Sequence, residues 1–133
     1  MAPGNLEIVR RTTDAYNRRD LDGIAEHWAP DAVLDWSNSR GPDAGIYRGR
    51  EEIRAFTQRF LAAWDGVRLE LDDPIEIEDD LLVVKNVTYL RGRDGIKTRA
   101  RSAWLLTLRD GQQTSLTLYQ TMQEALEAAG MRE

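Results

Sequence analysis

Few residues of this chain have the type and spacing to do chemistry. They are a carboxylate at Asp35, guanidiniums at Arg99 and Arg101, one imidazole at His27, and five large aromatics at Trp28, Trp36, Phe56, Phe60 and Trp64. Asp35 stands between Leu34 and Trp36. A carboxyl group in apolar surroundings has a raised pKa and can exchange protons near neutrality, or it can pair with an arginine. Its ordinary reading is a solvent-facing residue on a short strand. Arg99 and Arg101 are two apart, so on a strand they share one face. On the outer face of the strand they are a solvated charged pair. Inside a pocket, Arg101 needs a carboxylate from this protein or from a ligand, because an unpartnered buried guanidinium is costly. An anionic group on the ligand meets that need. The aromatic set either packs an ordinary core or surrounds a flat, apolar or aromatic ligand. His27, near a helix end, suits a surface or dipole role better than proton transfer.

Composition removes several classes of chemistry. The chain has 133 residues, the length of one domain, and a net charge of -5. It has no Cys and one His, so disulfides, thiolate nucleophiles and Cys- or His-rich metal sites are excluded. No metal site is expected: the acidic runs Asp72-Asp73 and Glu76 to Asp80 flank a bend and a turn and read as solvated. The acidic balance argues against a nucleic-acid partner, which calls for a basic face. No apolar run approaches the ~20 residues of a membrane span. The opening residues lack the apolar stretch of a secretory signal, so a cytoplasmic location is expected.

The elements that must position these groups can be read from periodicity. Leu6 to Arg19 has helical spacing, with Asn5 as its N-cap. Asp20 opens a second short helix carrying Leu21, Ile24 and Trp28 on one face, ended by Pro30. Ala32 to Trp36 reads as a strand, and Ile46-Tyr47 as a brief touch on the sheet. Arg50 to Trp64 carries a wide apolar stripe at Ile53, Phe56, Thr57, Phe60, Leu61 and Trp64, and Gly66 stops it. Strands follow at Val67 to Leu71, Ile75 to Ile77, Leu81 to Arg91, Ile96 to Leu108 and Thr114 to Tyr119, with Asp94-Gly95 and Asp110-Gly111 as hairpin signals. Glu124 to Ala129 is a short terminal helix. Helices first and antiparallel strands after make an α+β fold, with helices on one face of a curved sheet. Such a sheet closes into a cone, and a cone left unfilled at its wide end is a pocket.

Three segments carry a family resemblance: DAYNRRDLDGIAEHWAPDAVLDW (Asp14 to Trp36), IYRGREEIRAF (Ile46 to Phe56) and WLLTLRDGQQTSLTLYQTMQEALEAAG (Trp104 to Gly130). In this order and spacing the chain resembles the SnoaL-like branch of the NTF2-like superfamily, over nearly its whole length. The resemblance implies one α+β cone over residues 1–133, a curved antiparallel sheet wrapped around helices with an internal pocket, and a homodimer formed through the outer sheet face. Relatives include Δ5-3-ketosteroid isomerase, limonene-epoxide hydrolase, polyketide cyclases, dehydratases and pure binding modules, so the fold does not transfer a reaction. The isomerase's general base aligns with Trp36, its oxyanion-hole Tyr and protonated Asp with Thr12 and Arg101, and a supporting Tyr with Thr57. None of those groups is matched. The epoxide hydrolase's Asp-Arg-Asp relay is not matched either, and Asp35 is the nearest candidate for the cyclases' acid/base.

The resulting expectation is a protein that binds a small, largely apolar or aromatic organic molecule, with an anionic form as one alternative, and uses no cofactor. Trp28, Trp36, Phe56, Phe60 and Trp64 are the candidate ligand contacts. Trp28, Trp36, Phe56 and Phe60 are expected to line a single cavity with Arg101 as its polar element. If it is an enzyme, Asp35 and Arg101 are the candidate catalytic pair for isomerase, cyclase or hydratase chemistry. The alternatives are a non-catalytic binder and a protein-interaction module. The facing of the Ile96 to Leu108 strand stays open: alternation favours Thr98, Ala100, Ser102, Trp104 and Leu106 inward, whereas alignment to the isomerase favours Arg99, Arg101, Ala103 and Leu105.

Overall fold

Two Asp-Gly steps punctuate the second half of the chain, and the computed structural model, which describes residues 4–41 and 43–130, turns the backbone at both. Its elements are α1 (Asn5–Asn17), α2 (Leu21–Ala25), β1 (Trp28–Asp35), β2 (Ile46–Arg48), α3 (Arg50–Ala62), β3 (Gly66–Leu71), β4 (Ile75–Glu78), β5 (Leu81–Arg91), β6 (Lys97–Arg109), β7 (Gln112–Tyr119) and α4 (Met122–Gly130). Asp110 and Gly111 both take positive φ, 53° and 78°, the mirror-image turn whose twist suits a two-residue hairpin. Arg109 therefore pairs directly with Gln112. The strand order is β2-β1-β7-β6-β5-β3. β3 takes the Asn86–Arg91 half of β5, and β4 takes its Leu81–Val83 half. Among the described residues no helix is long and apolar enough to cross a membrane.

The sheet is antiparallel except at one place: β1 runs parallel to β7, pairing Val33 with Ser115 and Asp35 with Thr117. Here the structure corrects the expected boundaries. Trp28, Ala29 and Pro30 belong to β1, not to the end of the second helix, which stops at Ala25. Pro30 is tolerated because the β1–β7 register shifts between Trp28 and Val33, where a missing N–H breaks no ladder bond. Asn5 is the first residue of α1, not its cap; its side chain instead donates to the Asp79 carbonyl at 2.6 Å. α3 ends at Ala62, two residues before Trp64. α4 starts earlier than expected because Thr121 and Glu124 form a reciprocal cap, each side chain bonding the other's backbone N–H.

The helices do not all share one face. α1, α2 and α3 fill the concave side, where Ile8, Val9, Ile24, Ile53 and Phe56 pack against Leu82, Val84, Leu106 and Leu116. α4 lies on the convex side over Leu81, Val83, Ala103 and Leu105. This explains why β5 opens with four consecutive buried residues, Leu81 to Val84, in place of alternation: both faces are covered there. Three polar ties hold the concave layer. The Asn17 amide bonds both backbone groups of Leu69, at 2.9 and 2.7 Å, and fastens α1 to β3. Arg19 donates to the carbonyls of Leu61, Trp64 and Asp65 and finishes the C-terminal end of α3. Arg50 donates twice to the Trp28 carbonyl, at 2.8 and 2.6 Å, and pins the start of α3 to β1.

Candidate functional site

Between the concave helices and the sheet lies a chamber of about 90 Å³. The i, i+3, i+4, i+7 spacing of α3 brings Ile53, Phe56, Thr57 and Phe60 to it, and the same spacing of α1 brings Val9, Thr12, Thr13 and Tyr16. β1 contributes Trp28 and Leu34, Trp36 follows directly on its last residue, and β6 and β7 contribute Trp104 and Leu116. Phe56 sits at the centre of the aromatic wall. Its ring lies 4.4 Å from that of Tyr47, 5.6 Å from Trp36 and 6.2 Å from Phe60.

The chamber is chemically quiet. Thr12, Thr13 and Thr57 each donate their hydroxyl to the carbonyl four residues back in their own helix, at 2.8 to 2.9 Å. Among the described residues no carboxylate and no imidazole lines the chamber. Tyr16 is held as a neutral phenol: burial pushes its pKa well above the ordinary 10.0, partly offset by the Arg19 charge. The unfolded chain releases that proton near pH 10 and the folded chain does not. Stability is therefore expected to fall as pH rises past about 10, by linkage. Tyr16→Phe should flatten that alkaline limb in denaturant titrations across it; an unchanged limb would contradict the assignment. Among the described residues, Trp104 Nε1 is a side-chain donor shut off from solvent that makes no hydrogen bond.

A wider cavity of about 520 Å³ shares Trp36, Phe60 and Thr88 with the chamber, so the chamber meets it across these three side chains. This mouth also holds Trp64, Leu118, and the charged residues Arg40, Asp43, Arg99 and Arg101. None of the three arginines appears among the ion pairs of the described residues. Arg99 and Arg101 reach the mouth from the stretch of β6 before Ala103, which pairs with β5 but has no β7 partner.

The structure thus brings together Trp28, Trp36, Phe56 and Phe60 in one chamber and leaves Trp64 at the mouth. Of the two facings open for β6, the alternation is the one observed. Trp104 lines the chamber and Leu106 joins the concave core, while Ala103 and Leu105 pack under α4. The alignment-based inward set is corrected accordingly. Arg101 shares the parity of Ala103, is exposed, and does not line the chamber. Asp35 is also kept out, because strand alternation puts Leu34 and Trp36 inward. Its carboxylate accepts from the Ser37 N–H and hydroxyl. It also lies near Tyr119, whose pKa is raised by burial first and then by Asp35 and Glu124. Of the positions aligned with isomerase groups, Thr12, Trp36 and Thr57 do line the chamber. His27 sits in a separate depression with Asp14, Arg18 and Glu26. Sequence reasoning had passed over Tyr16, Trp104 and Arg40. The first two carried a usable signal, being on the apolar stripe of α1 and in the less charged set of β6. Arg40, in an irregular loop, carried none.

Comparison with known proteins agrees with this architecture. A family model described as a SnoaL-like domain matches residues 9–116. An uncharacterized protein of Mycobacterium tuberculosis is 32% identical over 115 residues, which are 85% of this chain and 86% of that protein. An NTF2-like protein of unknown function from Burkholderia pseudomallei superposes with a TM-score of 0.76 at 22% identity, over 92% of this chain and 95% of that one. A second Mycobacterium tuberculosis protein, solved in complex with estradiol-17beta-hemisuccinate, gives a TM-score of 0.76 at 17% identity, over 92% and 97% of the two chains. At these identities the likeness to the solved structures is one of fold.

Proposed function

We propose, from the premise that this chain belongs to the SnoaL-like family, that it binds one small, largely apolar organic acid, with its ring system reaching from the wider cavity past Trp36 and Phe60 into the chamber and its acidic group among the arginines at the mouth. The observation that carries this reading is the division of the cavity. An uncharged, aromatic-lined inner end opens past Trp36 and Phe60 into a mouth with three arginines and one aspartate. A structural neighbour was solved in complex with estradiol-17beta-hemisuccinate, a ring system ending in a carboxylic acid and so a member of the proposed ligand class. Binding is favoured over acid/base catalysis because, among the described residues, none that lines the chamber is a carboxylate or an imidazole placed to take and return a proton near neutrality. Burying an aromatic ring of roughly 150–250 Å² at about 25 cal/mol per Å² contributes a gross ~4–6 kcal/mol. The exposed arginines add orientation and encounter rate more than affinity.

The reading is tested by titrating intrinsic tryptophan fluorescence with a naphthylbutyrate and with its neutral amide. Both are expected to quench saturably, the acid about three- to tenfold more tightly at low salt, with the difference closing as ionic strength screens the exposed arginines. The double variant Arg99→Ala/Arg101→Ala should remove the acid's advantage and leave the amide unchanged. Absence of saturable quenching by either compound would sink the reading. A homodimer belongs to the same proposal. Exposed Ile75, Ile77 and Leu126 supply apolar surface for a second copy, and light scattering reads the mass directly.

A further inference from the structure

A strand packed on an apolar core has little use for an amide, yet β5 carries Asn86 at 1% exposure, on the same concave face as Leu82 and Val84. Its cross-strand partner on β6 is Ser102. The Ser102 hydroxyl donates to Asn86 Oδ1 at 3.0 Å, and Asn86 Nδ2 donates to the Val84 carbonyl at a long 3.4 Å. That carbonyl settles which way the amide points, because the flipped amide would set two oxygens against each other. Ser102 is half-buried and lines the wider cavity. We infer that Ser102 Oγ is a specificity-determining acceptor in the cavity wall, positioned by Asn86, and that the ligand presents to it an uncharged O–H or N–H donor on its ring system; this rests on the binding reading above.

A serine hydroxyl has one proton and two acceptor lone pairs. Here the proton is committed to the Asn86 amide, so Ser102 offers the cavity acceptor capacity alone. Among the described residues nothing donates to it. A buried amide costs free energy unless its partners are in place, and a valine at position 86 would fill the strand without that cost. The threonines of the chamber differ. Thr12, Thr13 and Thr57 donate to helix carbonyls that are present whatever the side chain. Asn86, by contrast, is a side chain kept buried beside Ser102. The donor that meets Ser102 is uncharged, because Arg40, Arg99 and Arg101 outnumber Asp43 in the same cavity and repel an ammonium group. Water reaches this half-buried oxygen in the free protein. A ligand that covers it without a donor removes that hydrogen bond and returns none. The ligand class narrows to a ring acid with a hydroxyl or N–H on the ring edge that faces β6.

The test uses naphthylbutyrates that differ only at the ring carbon next to the acid chain, the part of the ring that lies in the wider cavity: a hydroxy, a fluoro and a methoxy compound. The hydroxyl can donate, fluorine fills its place without donating, and the methoxy oxygen can only accept. The intact protein is expected to bind the hydroxy compound about fivefold more tightly than the fluoro one, within the range for one net hydrogen bond. Ser102→Ala should bind these two equally. Asn86→Val frees the Ser102 proton, so the methoxy compound should gain at least about threefold relative to the fluoro one, again one net hydrogen bond. A merely structural loss would weaken all three compounds alike. A reading on the intact protein covers variants that fold poorly: the substituted edge of the bound hydroxy compound should show nuclear Overhauser contacts to the Ser102 β-protons. Equal affinities for the hydroxy and fluoro compounds in the intact protein, a preference that survives Ser102→Ala, or no contact to Ser102 would overturn this inference and leave the binding reading standing. An unchanged methoxy-to-fluoro ratio in folded Asn86→Val would overturn the role given to Asn86. Failure of all three compounds to bind would overturn this inference and the binding reading together.

Discussion

Phe56→Ala should destabilise the protein by about 3–5 kcal/mol, the range for removing a buried phenylalanine side chain. Phe56 is 5% exposed, and its ring is the one member of the aromatic wall that touches Tyr47, Trp36 and Phe60 alike. Its loss removes apolar burial and three ring contacts at once. The void left behind would join the existing chamber, so the walls have little to collapse against. One side of the ring already faces that chamber, which puts the expected value in the lower half of the range. For a domain of this length that corresponds to a drop in Tm of roughly 10–20 °C. Trp64→Ala is the control, because Trp64 lies beyond α3 at the mouth and is only half-buried. It should cost less than about 1 kcal/mol, as peripheral substitutions do. Equilibrium unfolding in denaturant reads both. A loss under 1 kcal/mol for Phe56→Ala would mean that the aromatic wall does not hold α3 to the sheet.

Thr12→Phe should abolish ligand binding while leaving the protein folded. Thr12 faces the chamber from α1, and its hydroxyl is spent on the Ile8 carbonyl of its own helix. Replacing it therefore leaves no tertiary polar group without a partner. A phenyl group at that position projects into a space of about 90 Å³. The chamber is smaller than the engineered apolar cavity of roughly 150 Å³ that admits a single benzene, so the ligand's ring enters it only in part and extends past Trp36 and Phe60 into the wider cavity. The added ring would take the place of the ligand's ring, and affinity for the naphthylbutyrate should fall at least about a hundredfold, as the gross burial term is lost. Overpacking is expected to cost no more than about 1–3 kcal/mol. Circular dichroism and unfolding midpoints separate this outcome from misfolding. Binding unchanged in a folded Thr12→Phe protein would move the site out of the chamber.

The parts of this architecture legible in the sequence are those fixed locally. The stripe from Ile53 to Phe60 has one apolar face, and it forms α3 and the chamber wall. The Asp110-Gly111 step needs two positive φ angles, which few other residue pairs accept, and it makes the β6–β7 hairpin. The inward turn of Trp36 and the outward turn of Asp35 follow from strand alternation alone. What was misread depended on distant partners. Leu21, Ile24 and Trp28 have helical spacing, yet Trp28 opens β1, because β7, arriving some eighty residues later, offers it a parallel partner. No local pattern shows that pairing. α4 looked like one more helix for the same layer, and only the unbroken apolar run Leu81 to Val84 hinted at a covered convex face. For β6 the two lines of reasoning diverged. Alternation of charged and uncharged residues, a statement about burial, gives the observed facing, and alignment to the isomerase that the chain resembles gives the opposite one.

The central claim, an apolar chamber that takes the ring end of an organic acid, is tested most directly by locating the bound ring in solution. Intermolecular nuclear Overhauser contacts between a naphthylbutyrate and the isotope-labelled protein do this. The account predicts contacts from the naphthyl protons to the Phe56 ring, the Thr12 methyl and the Trp104 indole, and from the methylenes next to the carboxylate to Trp36 and Phe60, where the chamber meets the mouth. Contacts confined to the convex side, at Ile75 or Leu126, with the chamber residues unperturbed, would contradict it.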